Sequence, residues 1–305
     1  MDTVFIVNPK AGQGKNTENL IEQIKLAGAQ YYITKSVQDA ENFVRDFCKN
    51  NGPARFIACG GDGTFNEVLN GISEFPEAEI GVLPSGTGND FCRNFDADFS
   101  CIEALICGKT QKIDAIHYTT NGITRLCANM FNIGFDCNVA DMTTSMKKKP
   151  FISGSVAYFI SILAMLIRKK GADIKITIDD MDFFEGQLLL TSLANGKYCG
   201  GGIMSNPLAQ VTDGYMNMNI IYNVPRWKFI TLLPHYMNGT HMGLKNIDKV
   251  ICNKKCKKVK ITPNSKTFRI CVDGEIQDAG RVEFEIVPKA FNMVIPKNQR
   301  GVYDE

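Results

Sequence analysis

With 305 residues, 44% hydrophobic and 22% charged, the chain is long and apolar enough for two ordinary domains, or one large one, with a real core. A formal net charge of +2 leaves no electrostatic footprint for nucleic acid, so no nucleic-acid partner is expected. Eleven cysteines, odd in number and scattered through apolar runs, read as reduced, buried thiols of a cytoplasmic protein rather than a disulfide framework.

The opening, MDTVFIVNPK, lacks the basic start of a secretory signal and reads as a strand over residues 3–7 ending at Asn8-Pro9. A helix is predicted around 16–26 and a strand over 31–33. Ser36 and Asp39 have capping-box-like spacing for a helix over 37–49. Residues 55–59 read as a strand, 65–72 as a helix and 80–83 as a strand. This alternation predicts an α/β domain, a parallel-type sheet with helices on both faces.

After about residue 110 the texture changes. Candidate strands at 117–120 and 123–127 flank Asn121-Gly122, the strongest short-range hairpin signal. Further strands are predicted over 174–179, 183–194, 216–222, 259–262, 268–272 and 282–287, with helices near 151–170 and 226–238. Such a run of hairpin-like strands predicts a second, mainly antiparallel β domain of sandwich type. The apolar stretch 151–167 is broken by Ser153, Gly154, Ser155 and Ser161 and falls short of the roughly 20 residues of a membrane span. It reads as a core or interfacial helix.

Three glycine-bearing loops each follow a predicted strand of the first domain: Asn8-Pro9-Lys10-Ala11-Gly12-Gln13-Gly14-Lys15, Gly60-Gly61-Asp62-Gly63-Thr64, and Pro84-Ser85-Gly86-Thr87-Gly88-Asn89-Asp90. In an open α/β sheet such loops lie at the carboxyl edge of the strands, where ligands bind. Glycine lets backbone approach phosphate oxygens, and a helix N-terminus adds donors and a favourable dipole. None of the loops has Walker A or G-x-G-x-x-G spacing. Any one of them could be a tight turn; three on one sheet edge point to phosphate binding.

The segments VNPKAGQGK, GGDGTFNEVLNGI, LPSGTGNDFCRNF, Thr212-Asp213-Gly214-Tyr215 and VDGEI at 272–276 resemble the diacylglycerol kinase family, in particular its bacterial soluble lipid kinases related to sphingosine and ceramide kinases. GGDGT alone is shared with NAD kinases and 6-phosphofructokinases; joined to NEV and SGTGNDF it is far more specific. The resemblance implies an ATP-binding α/β domain over 1–120 plus about 290–305, and a β-rich lipid kinase domain over 121–289. It implies that ATP is held by Asn8, Pro9, Lys10, Ala11 and Gly12, by Thr34, by Gly61, Asp62, Gly63, Thr64, Phe65, Asn66 and Glu67, and by Thr87 and Asn89. Lys15 would neutralise phosphate charge, and Asp62 would orient the donor phosphates or a magnesium ion carried with ATP. The bland alternative for Asp62 is a turn-stabilising residue.

Glu275 matches the family's general base, which would accept the proton of a lipid hydroxyl; on its own, Asp273-Gly274-Glu275 reads as an ordinary turn. Asp213, with the carbonyls of Gln210 and Tyr215, matches a structural magnesium site, although this chain has Asn217 where relatives often carry a second Asp. The implied reaction is transfer of the ATP γ-phosphate to diacylglycerol or a related lipid. The alternatives are an NAD kinase-like enzyme and a catalytically silent lipid-binding protein. Basic clusters at 147–149 and 168–170 beside the apolar helix are expected to favour peripheral association with the inner face of the membrane, or else are its solvated ends. A homodimer is compatible with the resemblance. The run 254–258 reads as a solvated turn and strand edge, and His117, His235 and His241 have no ligand spacing.

Overall fold

The computed structural model describes residues 1–14, 17–86, 88–134 and 171–296. The helix expected over 151–170, its basic flanks, Lys15 and Thr87 lie outside the described residues. The chain divides into two compact units, Met1–Asp114 with Lys289–Glu305, and Ala115–Pro288.

In the first unit the strands β1 (Thr3–Val7), β2 (Gln30–Ile33), β3 (Arg55–Gly60) and β4 (Glu79–Pro84), with the end of β15 (Val282–Ile295), pair in the order β15-β4-β3-β1-β2, every pair parallel. β1 and β3 are buried almost residue for residue, as strands covered on both faces must be. The intervening helices are α1 (Thr17–Leu26), α2 (Asp39–Asn51), α3 (Asp62–Gly71) and the short α4 (Ile102–Ile106). Arg55 ties the last of these to the sheet: its guanidinium pairs with Glu79 at 2.6 Å and donates to the carbonyls of Leu105, Ile106 and Gly108. A cation is favourable at that helix end.

Two helix starts differ from expectation. α2 begins at Asp39 after Gln38 in the left-handed region (φ 66°), without a side-chain cap from Ser36. Asp39 is already engaged by its own turn, accepting from Lys35 N at 2.7 Å and from the Tyr32 hydroxyl. α3 begins at Asp62, three residues before the predicted start, with Gly61 as its extended N-cap. The glycine-rich segment is therefore a helix terminus more than a loop.

The second unit is built from antiparallel pairs. Asn121 (φ 52°) and Gly122 (φ 77°) join β5 (Lys109–Thr120) to β6 (Ile123–Cys127) in the two-residue hairpin the sequence announces. The path β14-β13-β7-β9-β8-β12-β15 runs through β7 (Met130–Gly134), β8 (Ala172–Ile178), β9 (Met181–Ala194), β12 (Lys258–Pro263), β13 (Phe268–Val272) and β14 (Glu275–Ala279). β10 (Met216–Tyr222) adds to β9 and carries β11 (Ile251–Cys256) on its other edge. One core, centred on Phe131, Ile176, Met218 and Phe284, fills the sandwich. A second lies beneath α5 (Arg226–Met237), where Phe229, Leu232 and Tyr236 meet Leu190, Ile221 and Ile251.

One face of this sheet carries a polar row: register places Asn132 opposite Cys271 and Ser192, Ser192 opposite Asn219, and Asn219 opposite Asn253. Buried Asn206 docks on it, donating to Ser192 Oγ at 2.9 Å and accepting from Asn219 Nδ2 at 2.8 Å. A buried amide left without partners would cost about 1–3 kcal/mol, so this row fixes the chain that leads into Gln210–Tyr215.

Candidate active site

In the first unit the segments after β1, β2, β3 and β4 leave the same sheet edge, because register aligns Val7 with Ile33 and Cys59, and Gly60 with Pro84. After β1, Asn8 donates its amide to Thr64 Oγ1 at 3.0 Å and accepts from Lys10 N at 3.0 Å, clipping the first loop to α3. Ala11 N closes the turn on Asn8 O at 3.1 Å, and Thr34 N donates to Val7 O at 2.9 Å. Ser85 N and Gly86 N both donate to Gly60 O.

The loops touch through backbone. A Cβ on Gly86 would stand 2.5 Å from Gly61 Cα, and one on Gly12 (φ +60°) 2.7 Å from Ser85 O, so side chains at either position would drive the loops apart. At their meeting point the first-turn N–H groups of α3, those of Asp62, Gly63 and Thr64, have no acceptors within the helix. Donors of this kind with a favourable dipole form a ready anion site. Asp62 adds a carboxylate there, and Asp90 N donates to its Oδ1 at 3.0 Å. Asn89 (φ 51°) turns the third loop by donating to Gly86 O at 2.7 Å. Cys92 behind the loop is a half-buried residue whose thiol is pushed up to about 12 by desolvation and then by the Asp62 charge.

Asn8, Gly12, Gly61, Asp62, Gly63, Thr64 and Asn89 thus come together, with exposed Lys10 at the rim. Other expected contacts have other partners. The Phe65 ring is 3% exposed and stacks on Phe91 at 5.0 Å, beside Phe291, leaving only its backbone toward the loops. Asn66 lies on α3 with its carbonyl accepting from Asn70 Nδ2. Glu67 Oε2 accepts from Ala40 N at 3.2 Å and so caps the start of α2. Sequence reasoning passed over Asp90, which is buried, donates to Asp62 and pairs with Arg93 at 3.7 Å. The signal was its place in SGTGNDF.

In the second unit Glu275 opens β14 opposite Val272, exposed at the end of a two-residue turn through Asp273 (φ 44°) and Gly274 (φ 93°). Asp273 anchors that turn: its carboxylate accepts from Met130 N at 2.8 Å and from the Cys127 thiol at 3.1 Å, while its own N–H donates to Met130 O. Burial, then the Asp273 charge, holds the Cys127 thiol well above its ordinary range. Tyr118 is pushed up to about 12, mainly by burial, with the Asp273 and Glu275 charges adding to it. In the sequence Asp273 reads only as part of a turn; its anchoring role comes from the distant Cys127 and Met130.

Both oxygens of Asp213 are engaged: Oδ1 accepts from Tyr215 N at 3.0 Å and Oδ2 from Lys255 Nζ at 2.6 Å. The Gln210 carbonyl faces Asp213 N at 3.5 Å. An ammonium holds the place that the resemblance gives to a magnesium ion, and buried Asn217 brings no second carboxylate. The donor set does not fit a divalent ion without displacing Lys255. Among the described residues no three His, Cys, Asp or Glu side chains cluster as metal ligands.

Residues 2–118 match the diacylglycerol kinase catalytic domain, and residues 129–295 match the YegS C-terminal NAD kinase beta sandwich-like domain. A protein of Yersinia pestis (strain Pestoides F) described as "Probable lipid kinase YegS-like" is 28% identical over 302 residues, covering 97% of each chain. One of the same description from Yersinia pseudotuberculosis serotype O:1b (strain IP 31758) matches equally. A solved diacylglycerol kinase structure from Bacillus anthracis str. Sterne superposes with a TM-score of 0.70 at 21% identity, covering 99% of this chain and 98% of that one. A second structure from that organism gives a TM-score of 0.74 at 23% identity, with the same coverage. At these identities the structural likeness speaks for the fold.

Proposed function

The chain belongs to the diacylglycerol kinase family of bacterial lipid kinases, and from that premise we propose that it transfers the γ-phosphate of ATP to the hydroxyl of diacylglycerol, giving phosphatidic acid and ADP. The observation that carries the reading is the loop edge of the first unit, where the N-terminus of α3 and the Asp62 carboxylate meet two glycine-opened loops. Phosphoryl transfer asks the protein for positioning and charge stabilisation more than for covalent help.

On this reading the α3 N–H groups and the backbone around Gly12 and Gly86 bind the nucleotide phosphates, helped by Lys15. Asp62, an oxygen donor suited to a hard cation, orients the donor phosphates; magnesium carried with ATP would neutralise part of their charge. Glu275 accepts the hydroxyl proton as the new O–P bond forms and the bond from the γ-phosphorus to the bridging oxygen breaks, releasing ADP. Glu275 suits that task because it is exposed and its carboxylate has no hydrogen-bond partner among the described residues, while Asp273 fixes the turn that presents it. Among the described residues no helix is long and apolar enough to cross a membrane. On this reading the enzyme is cytoplasmic and meets its substrate peripherally, at the inner membrane face.

The test is incubation with labelled ATP, magnesium and diacylglycerol in mixed micelles, with NAD as a parallel acceptor. Labelled phosphatidic acid is the expected product. Label in NAD alone would replace this reading with that of an NAD kinase.

A further inference from the structure

Trp227, the single tryptophan of the chain, stands on the outer side of α5 with 68% of its surface exposed, and Ile230, one turn on, is 52% exposed. Exposed Pro234 continues the row, since positions 227, 230, 231 and 234 share one side of a helix. The opposite side already supplies Phe229, Leu232 and Tyr236 to the core. A surface helix needs only one apolar side to be held in place, so the outer one calls for a separate explanation.

The surroundings are cationic. Residues 224–250, which fold onto the core beneath α5, hold four cations, Arg226, Lys228, Lys245 and Lys249, and a single acidic residue, Asp248. Lys228, Lys245 and Lys249 form no ion pair among the described residues. The segment bearing Lys245 and Lys249 packs into the same core as α5 through Leu244, Ile247 and Val250, so its charges and the Trp227 side belong to one layer.

We propose that this side of α5 docks on an anionic lipid bilayer, with Trp227 and Ile230 entering the headgroup region and the neighbouring lysines meeting anionic headgroups. Tryptophan favours that boundary because its ring is apolar with one polar N–H. A helix with apolar residues outward and basic residues beside them binds by buried area and charge together. The occupant follows from the charge: a second copy of this chain would bring the same cationic layer against itself, whereas an anionic bilayer complements it. The proposal rests on the lipid kinase reading, since an enzyme acting on diacylglycerol must reach the surface that holds it.

The lone tryptophan makes the test direct. The full chain is titrated with vesicles of phosphatidylcholine containing phosphatidylglycerol, and with phosphatidylcholine alone, following Trp227 fluorescence and its quenching by brominated lipid. A blue shift and quenching on the anionic vesicles, lost at roughly 0.5 M salt, are expected. Ile230→Glu, which keeps the probe, and Trp227→Ala, followed by vesicle sedimentation, should each weaken binding about tenfold. Vesicle binding with no quenching of Trp227, or with both variants unchanged, would overturn the proposal. So would shielding of Trp227 from acrylamide before vesicles are added; its dependence on protein concentration would separate a second copy from a segment of the same chain. Binding needs no turnover, so loss of the docking signal with phosphorylation of detergent-dispersed diacylglycerol intact overturns the docking alone. Docking without phosphorylation of any lipid would instead overturn the kinase reading.

Discussion

Asp62 Oδ1 accepts the backbone N–H of Asp90 at 3.0 Å, tying the first residue of α3 to the loop after β4. Its other oxygen lies where a Cβ on Gly88 would come within 2.7 Å, so the loop passes the carboxylate only because residue 88 has no side chain. Asp62→Asn keeps an acceptor for Asp90 but removes the charge. Turnover should fall at least about 100-fold while the melting temperature stays within about 2 °C. Gly88→Ala should also depress kcat, by pushing the carboxylate aside. Steady-state kinetics beside thermal unfolding check both, and near-normal kcat in Asp62→Asn would remove Asp62 from the chemistry.

Glu67 caps α2 through Ala40 N, where the helix dipole favours an anion. Glu67→Ala should therefore cost about 1 kcal/mol of stability and leave the KM for ATP nearly unchanged. A raised KM without loss of stability would return Glu67 to the nucleotide.

Glu275 and Asp273 flank Gly274 on one turn but should fail differently. Glu275→Gln is expected to lower kcat by roughly 100-fold or more with an unaltered melting temperature, because the side chain is exposed. Asp273→Ala leaves Met130 N without its acceptor and should cost about 1–3 kcal/mol of stability. Denaturant unfolding of the two variants separates the roles.

His241 is fully buried beside the Tyr236 ring, and burial holds its imidazole below the usual 6.5. Below that pH the unfolded chain takes up a proton that the folded chain resists. Stability is thus present above about 6.5 and lost as pH falls through the lower folded value, by at most about 1.4 kcal/mol per pH unit. His241→Gln should flatten that part of the stability profile.

Metal removal should dissociate activity from stability. With Lys255 on Asp213, EDTA is expected to abolish phosphoryl transfer by stripping magnesium from ATP, yet to leave the melting temperature of the free protein unchanged. A melting temperature that rises with millimolar magnesium would restore a metal site at Asp213.

The parts of the fold written locally were legible. Asn121-Gly122 announced its hairpin because both residues must take positive φ, and the glycine spacing located the three loops. What depends on distant partners was not. β7 is five buried residues defined only by β13 and β9, and the lysines of β11 disguise a strand held by β10. Asp273-Gly274 has the same hairpin geometry as Asn121-Gly122 and was legible as a turn, but the polar strand that follows it was not. In the site, the family resemblance marked Asp62 and Glu275. It could not show that Glu67 faces a helix that starts 28 residues earlier, or that Lys255, 42 residues on, reaches Asp213.

The most direct measurement is product identification from labelled ATP and magnesium with wild type and Asp62→Asn, offering diacylglycerol, ceramide, sphingosine and NAD in one competition. The account predicts label in phosphatidic acid with wild type and its loss in the variant. Label confined to NAD, or none in any acceptor, would contradict it.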